Sequence, residues 1–196
     1  MRVRAVILAL LLAFGPMSTV ATSQVLRYGT DPSGRSVALL APKNARAVVL
    51  LFIASDCPIS NRYLPEMRRL KQKFLPRGVT FWFVYPNLTE TSSTIRTHQA
   101  AYMGGDGVRL LTDPRQQLAH LTGVKVTPEA ALLVPDGAGL RTVYAGRIDD
   151  RYLSIGSQRP QARRHDLEDA IEAALAGSPI QPPGGPAVGC GIVSTK

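Results

Sequence analysis

Hydrophobic positions along the chain fall into two kinds of run. Residues 47–54 (A-V-V-L-L-F-I-A) and 79–85 (V-T-F-W-F-V-Y) carry almost no polar side chains, and their β-branched and aromatic content suits strands covered on both faces. Between them Tyr63, Met67, Leu70 and Phe74 recur at helical spacing with basic residues interleaved, which predicts an amphipathic helix. Pro65 falls inside that pattern, where it should kink the helix or start its regular part. The stretch 91–103 reads as a helix, 108–111 as a brief extended piece and 116–122 as a short helix. Residues 130–134 and 141–145 read as two strands around the turn P-D-G-A-G. A last helix has Asp166 as its expected cap, Leu167, Ile171, Ala174 and Leu175 on one face, and Gly177 then Pro179 as its stop. Ahead of all this, residues 25–40 predict a hairpin turning at Asp31-Pro32-Ser33-Gly34. Behind it, S-P-I-Q-P-P-G-G-P-A-V-G-C-G-I predicts an extended tail. The order is that of an α/β domain with a mixed central sheet flanked by helices.

With 196 residues, 45% of them hydrophobic, the chain can bury one ordinary core. Residues 1–21 combine Arg2 and Arg4, an apolar run and a break at Gly15-Pro16, the layout of a cleavable signal peptide. The expected organisation is therefore a signal peptide at 1–21, one domain at 22–178 and a Pro/Gly-rich tail at 179–196. Localisation is expected to be periplasmic or secreted, with no stable membrane insertion after cleavage. The net charge of +9 comes from scattered Lys and Arg without aromatic interleaving, so it predicts a solvated surface and no nucleic-acid partner. Export makes the two cysteines, Cys57 and Cys190, more consequential, because disulfides persist outside the cytoplasm.

Cys57 follows a buried strand and precedes a helix. Free backbone N–H groups and the positive end of the helix dipole there stabilise thiolate over thiol. A plain buried cysteine acting as a small hydrophobe is the alternative. The sequence A-S-D-C-P-I-S-N-R-Y (54–63) puts Ser60 where a Cys-x-x-Cys motif has its second thiol. Arg62 favours the thiolate and Asp56 opposes it. Thr127-Pro128 precedes a strand, a place where an X-Pro bond can be cis.

Taken in order, Cys57-Pro58, G-V-K-V-T-P-E-A (123–130), Y-A-G-R-I-D-D-R (144–151), D-L-E-D-A-I-E-A-A-L-A-G (166–177) and P-A-V-G-C (186–190) resemble the peroxiredoxin-like redoxins. These form part of the alkyl hydroperoxide reductase and thiol-specific antioxidant group of the thioredoxin superfamily. The resemblance runs from about Val37 to the C-terminus. It implies a thioredoxin-like fold, an oxidoreductase or antioxidant activity with Cys57 as reactive thiol, and a substrate edge shaped by Pro58, Thr127 and Pro128. Two departures stand out. Ala54 occupies the place of the Thr that positions peroxide in typical peroxiredoxins, and residues 48–53 contain no proline.

Cys190, on the tail, is then the candidate resolving thiol, with an external thiol as electron donor and a peroxide or protein disulfide as substrate. A disulfide reductase of extracytoplasmic thiol maintenance, and a non-catalytic binding module stapled by Cys57–Cys190, stay open beside it. Ser60, Arg62 and Arg147 are the expected supporting residues. Arg147 suits either a thiolate or a surface salt bridge to Asp149 or Asp150. His98, His120 and His165 lack metal-ligand spacing, so no metal and no cofactor is expected. Asp149, Asp150 and Asp166 read as turn and cap residues, residues 104–107 as a loop, and Asn87-Leu88-Thr89 as a glycosylation sequon.

Overall fold

The computed structural model describes residues 29–37, 40–103, 108–137 and 139–193. The expected signal peptide, the first residues of the expected hairpin and the loop at 104–107 lie outside the described residues. A seven-stranded mixed sheet forms the centre, in the order β2-β1-β5-β4-β3-β7-β8. Its strands are β1 (Gly29–Thr30), β2 (Ser36–Val37), β3 (Ala47–Phe52), β4 (Val79–Tyr85), β5 (Leu110–Thr112), β7 (Glu129–Asp136) and β8 (Gly139–Gly146). Strands β3, β4 and β5 run parallel, β7 is antiparallel to β3, and β8 closes a hairpin with β7. The turn between β1 and β2 is the expected one: the Asp31 carboxylate accepts from the N–H groups of Ser33 and Arg35 at 2.9 and 3.0 Å.

Every residue of β3 and β4 is buried, because both faces of the sheet are covered. Val49 and Leu51 of β3 face helix α1 (Pro58–Phe74), helix α2 (Ser92–His98) and helix α4 (Asp166–Ala176). Val48, Leu50 and Phe52 face the other layer, built on helix α3 (Gln117–Thr122). This period of two, inside a wholly apolar run, is what a strand buried on both faces requires. Outside the core, α1 and the 3-10 turn that follows it at Leu75–Arg77 are bridged to α4 by exposed pairs, Lys73–Glu168 at 2.7 Å and Arg77–Glu172 at 2.8 Å, each worth little in water.

Several expectations need correction. Helix α1 begins at Pro58 and runs unbroken through Pro65, whose missing N–H costs one bond while Leu64 and Met67 beside it are locked in the core. The N-cap position of α4 is His165, not Asp166, and the Asp166 carboxylate is used elsewhere. The predicted helix at 91–103 is α2 followed by a π-helical turn at Gln99–Met103. Two small pairs escaped the sequence reading: β9 (Tyr152–Ser154) with β10 (Ser157–Gln158), and β6 (Val126–Thr127) with β11 (Cys190–Gly191).

Candidate active site

Cys57 is the N-cap of α1, in extended conformation, and its carbonyl accepts the first helical bond from Asn61 N–H at 3.1 Å. The chain reaches it from β3 through Ile53, whose N–H bonds to Val84 O at 2.9 Å, so the core sheet holds the loop in place. The sulfur therefore sits at the positive end of a 17-residue helix, beside first-turn N–H groups without helical partners. Cys57 is fully buried and is joined by a disulfide to Cys190, with a Cα–Cα distance of 6.1 Å.

Facing this bond is Thr127, joined to Pro128 by a cis peptide bond. The Thr127 carbonyl oxygen lies 3.0 Å from Cys57 Sγ. Cys190 is the antiparallel partner of Thr127, and Gly191 that of Val126. The tail is thus laid as a strand along the segment that leads into Pro128. Ile192 N–H donates to Lys125 O at 3.0 Å, and the Gln116 side-chain amide donates to Val193 O. A Cβ on Gly189 would overlap the Thr127 carbonyl, so only glycine admits this approach.

A second anchor holds the tail further back. The Arg147 guanidinium donates from Nε to Asp166 Oδ2 at 2.9 Å, and Gly184 N–H donates to Asp166 Oδ1 at 2.8 Å. Burial alone would raise the Asp166 carboxyl, but Arg147 and the Gly184 N–H hold it below the usual carboxylate range. Arg147 therefore pairs with Asp166, not with Asp149 or Asp150. Those two carboxylates shape the turn after β8: Asp149 accepts from Arg151 N–H, Asp150 from the N–H groups of Arg163 and Arg164.

Of the other expected site residues, Pro58, Arg62 and Cys190 line one cleft of about 240 Å³ with Ile59, Tyr152 and Ile155. Ser60 is fully buried, and its Oγ accepts from Ala54 N–H at 3.4 Å. Ser60 thus supports the loop and offers no second thiol. Ala54, also fully buried, leaves the site without the hydroxyl of a typical peroxiredoxin.

A polar chain beneath the loop was not legible in sequence. Tyr85 Oη is 2.8 Å from His98 Nδ1, and His98 Nε2 is 2.7 Å from Asn61 Oδ1. The Asn61 amide donates to Ser55 O at 3.2 Å, while Ser55 N–H and hydroxyl both donate to the Glu90 carboxylate. Burial depresses His98, so its neutral form is favoured. With Asn61 Oδ1 accepting, Nε2 carries the proton and Nδ1 accepts from Tyr85. The only sequence signal was a histidine on the inner face of α2.

A cysteine capping a helix behind a central strand thus stands opposite a cis Thr-Pro, within a thioredoxin-like fold. The family follows from sequence: a model described as the AhpC/TSA family matches residues 22–145, and the chain belongs to that family. None of the curated proteins matches. Among solved structures, the chain is similar to a hypothetical protein from Sinorhizobium meliloti 1021, at 24% identity and a TM-score of 0.67, over 85% of this chain and 91% of that one. It is also similar to an uncharacterized conserved protein from Geobacillus kaustophilus, at 23% identity and a TM-score of 0.66, over 88% and 90%. An exposed lipoprotein thioredoxin from Streptococcus pneumoniae strain TIGR4 aligns at 19% identity and a TM-score of 0.50, over 76% and 96%. These likenesses show the thioredoxin-like fold.

Proposed function

We propose that the protein is an exported thiol–disulfide oxidoreductase whose working pair is Cys57 and Cys190. The observation that carries this reading is the disulfide itself. It closes at a helix N-terminus, under a strand laid against Thr127, beside an open apolar cleft. In reduction an external thiolate attacks Cys190, the half-exposed partner, and Cys57 leaves as a thiolate. The helix N-terminus makes Cys57 the better leaving group. A second thiol then attacks the mixed disulfide on Cys190, giving the oxidised donor and two free cysteines. In the forward direction the Cys57 thiolate attacks a substrate disulfide and Cys190 resolves the adduct. Pro58 and Arg62 line the cleft, while Thr127 and Pro128, buried under the tail strand, join the substrate edge only when reduction of the disulfide frees Cys190 from it. The residues at 1–21 act as the export signal. Among the described residues no helix is long and apolar enough to cross a membrane.

The Ala54 side chain favours disulfide exchange over peroxide reduction, since no hydroxyl stands where a peroxide would be positioned. Redox titration against glutathione, read by thiol alkylation, tests the reading. A reduction potential between about −120 and −270 mV supports exchange, and one below about −300 mV assigns the bond to structure alone. Trapping with a monothiol reductant should give adducts on Cys190; adducts on Cys57 reverse the proposed polarity. Rapid loss of thiols to one equivalent of peroxide would favour the peroxidase instead.

A further inference from the structure

Behind the cleft wall, three side chains from distant parts of the sequence converge. Glu66 comes from the middle of α1, Asp149 from the turn after β8, and His165 from the N-cap position of α4. One ligand atom from each lies within 4.8 Å of the others. The convergence has a backbone cause: Leu167 N–H donates to Ile148 O at 3.1 Å, which ties the start of α4 to the turn that carries Asp149.

Asp149 supplies an independent pointer to a ligand. It is only 2% exposed. Its Oδ1 is occupied, accepting from the Tyr63 hydroxyl at 2.5 Å and from Arg151 N–H at 2.9 Å. Its Oδ2 is buried without a hydrogen-bond partner. A buried carboxylate oxygen left unpaired keeps its desolvation cost with nothing to offset it, so the position calls for a cation or a donor. His165 meanwhile makes no capping bond to the helix it begins. Glu66 is chelated on one side by Arg69, at 2.8 and 2.7 Å, and each of its oxygens keeps a second lone pair.

We propose that Glu66, Asp149 and His165 form a site for a divalent transition-metal ion of the zinc class, with water completing the coordination. Two carboxylates and one imidazole are the mixed oxygen and nitrogen donors that zinc accepts. Tetrahedral zinc with ligands at about 2.1 Å sets neighbouring donors about 3.4 Å apart. Binding would draw the three donors somewhat closer than the 4.8 Å within which they lie, and the exposed His165 side chain is the one least held by packing. The ion would fasten α1, α4 and the β8–β9 turn together. Tyr152, in the strand after that turn, packs on Tyr63 and lines the cleft beside Cys190. The metal would therefore brace the wall of the active-site cleft from behind.

Zinc binding by the oxidised full chain tests this, since both sulfurs are then in the disulfide and neither competes as a thiolate ligand. Calorimetry with metal analysis after dialysis should give one zinc per chain. His165→Ala and Glu66→Gln should each weaken it at least about tenfold, as loss of one protein ligand demands. His120→Ala, a surface histidine elsewhere, should leave it unchanged. Circular dichroism of the metal-free variants verifies that they fold. Absence of stoichiometric binding, or binding that survives either ligand substitution, overturns the proposal.

Discussion

Cys190 stands directly opposite Thr127 in an antiparallel bridge, so the tail thiol is held by backbone pairing as well as by its bond to Cys57. The disulfide and the strand each bring the same two segments together. Their contributions separate only when one is removed and the other kept.

Cys190→Ser removes the covalent link and leaves the tail's other contacts. Opening a loop of 133 residues should cost on the order of 2–5 kcal/mol of stability, read by urea denaturation under oxidising conditions. Cys57→Ser should cost a similar amount, and the double substitution little more, because all three lose one bond. A double loss near twice the single values would mean that the cysteines act separately.

Gly189→Ala does the reverse, keeping both thiols and blocking the strand. The added methyl would clash with the Thr127 carbonyl and force the tail off its partner. Reformation of the disulfide after reduction should slow by about 10- to 100-fold, since the two sulfurs lose their near-attack placement. Stopped oxidation with thiol counting measures the rate; wild-type kinetics would show that the bridge does not position Cys190.

Arg147→Met tests the rear anchor. It takes from the Asp166 side chain, only 2% exposed, the nearer of two ion-pair partners and leaves Arg164 Nε at 3.6 Å, so the cost should fall short of the about 3–5 kcal/mol of a fully unpaired buried charge. The sign with pH follows from the depressed Asp166 carboxyl. Its contribution is present above the unfolded value of about 3.8 and is lost as pH falls through the folded one. The gap between variant and wild type should thus be full near neutrality and close in acid. A gap independent of pH would assign the effect to packing.

His98 gives a dependence at milder pH. Burial lowers its folded pKa, so its stabilising contribution is present above the ordinary value of 6.5 and lost as pH falls through the folded one. Denaturation midpoints should decline on acidification, and His98→Gln should flatten that decline. Equal slopes in the two proteins would remove His98 from the account.

Much of the sheet was readable because strands buried on both faces announce themselves as apolar runs, as at 47–52 and 79–85. Cys57 was readable for the same reason, since it sits where such a run meets a helical period. The bridge between Thr127 and Cys190 was not, because a two-residue strand has no period to detect. Nor was the setting of His98, which depends on Tyr85 and Asn61 meeting it from other elements. Asp166 resembled a cap in sequence because a carboxylate at a helix start has several possible donors. Folding gave it Arg147 and Gly184 in place of its own helix.

The Cys57–Cys190 bond also gives the molecule a covalent outline. Residues 57–190 become a single ring that carries α1 to α4 and strands β4, β5, β7 and β8, with β1, β2 and β3 on the arm outside it. A protease that cuts any loop of that ring opens it into fragments that stay attached to one another. The pieces part only when a reductant reaches Cys190, so a nicked chain keeps a record of its own oxidation state.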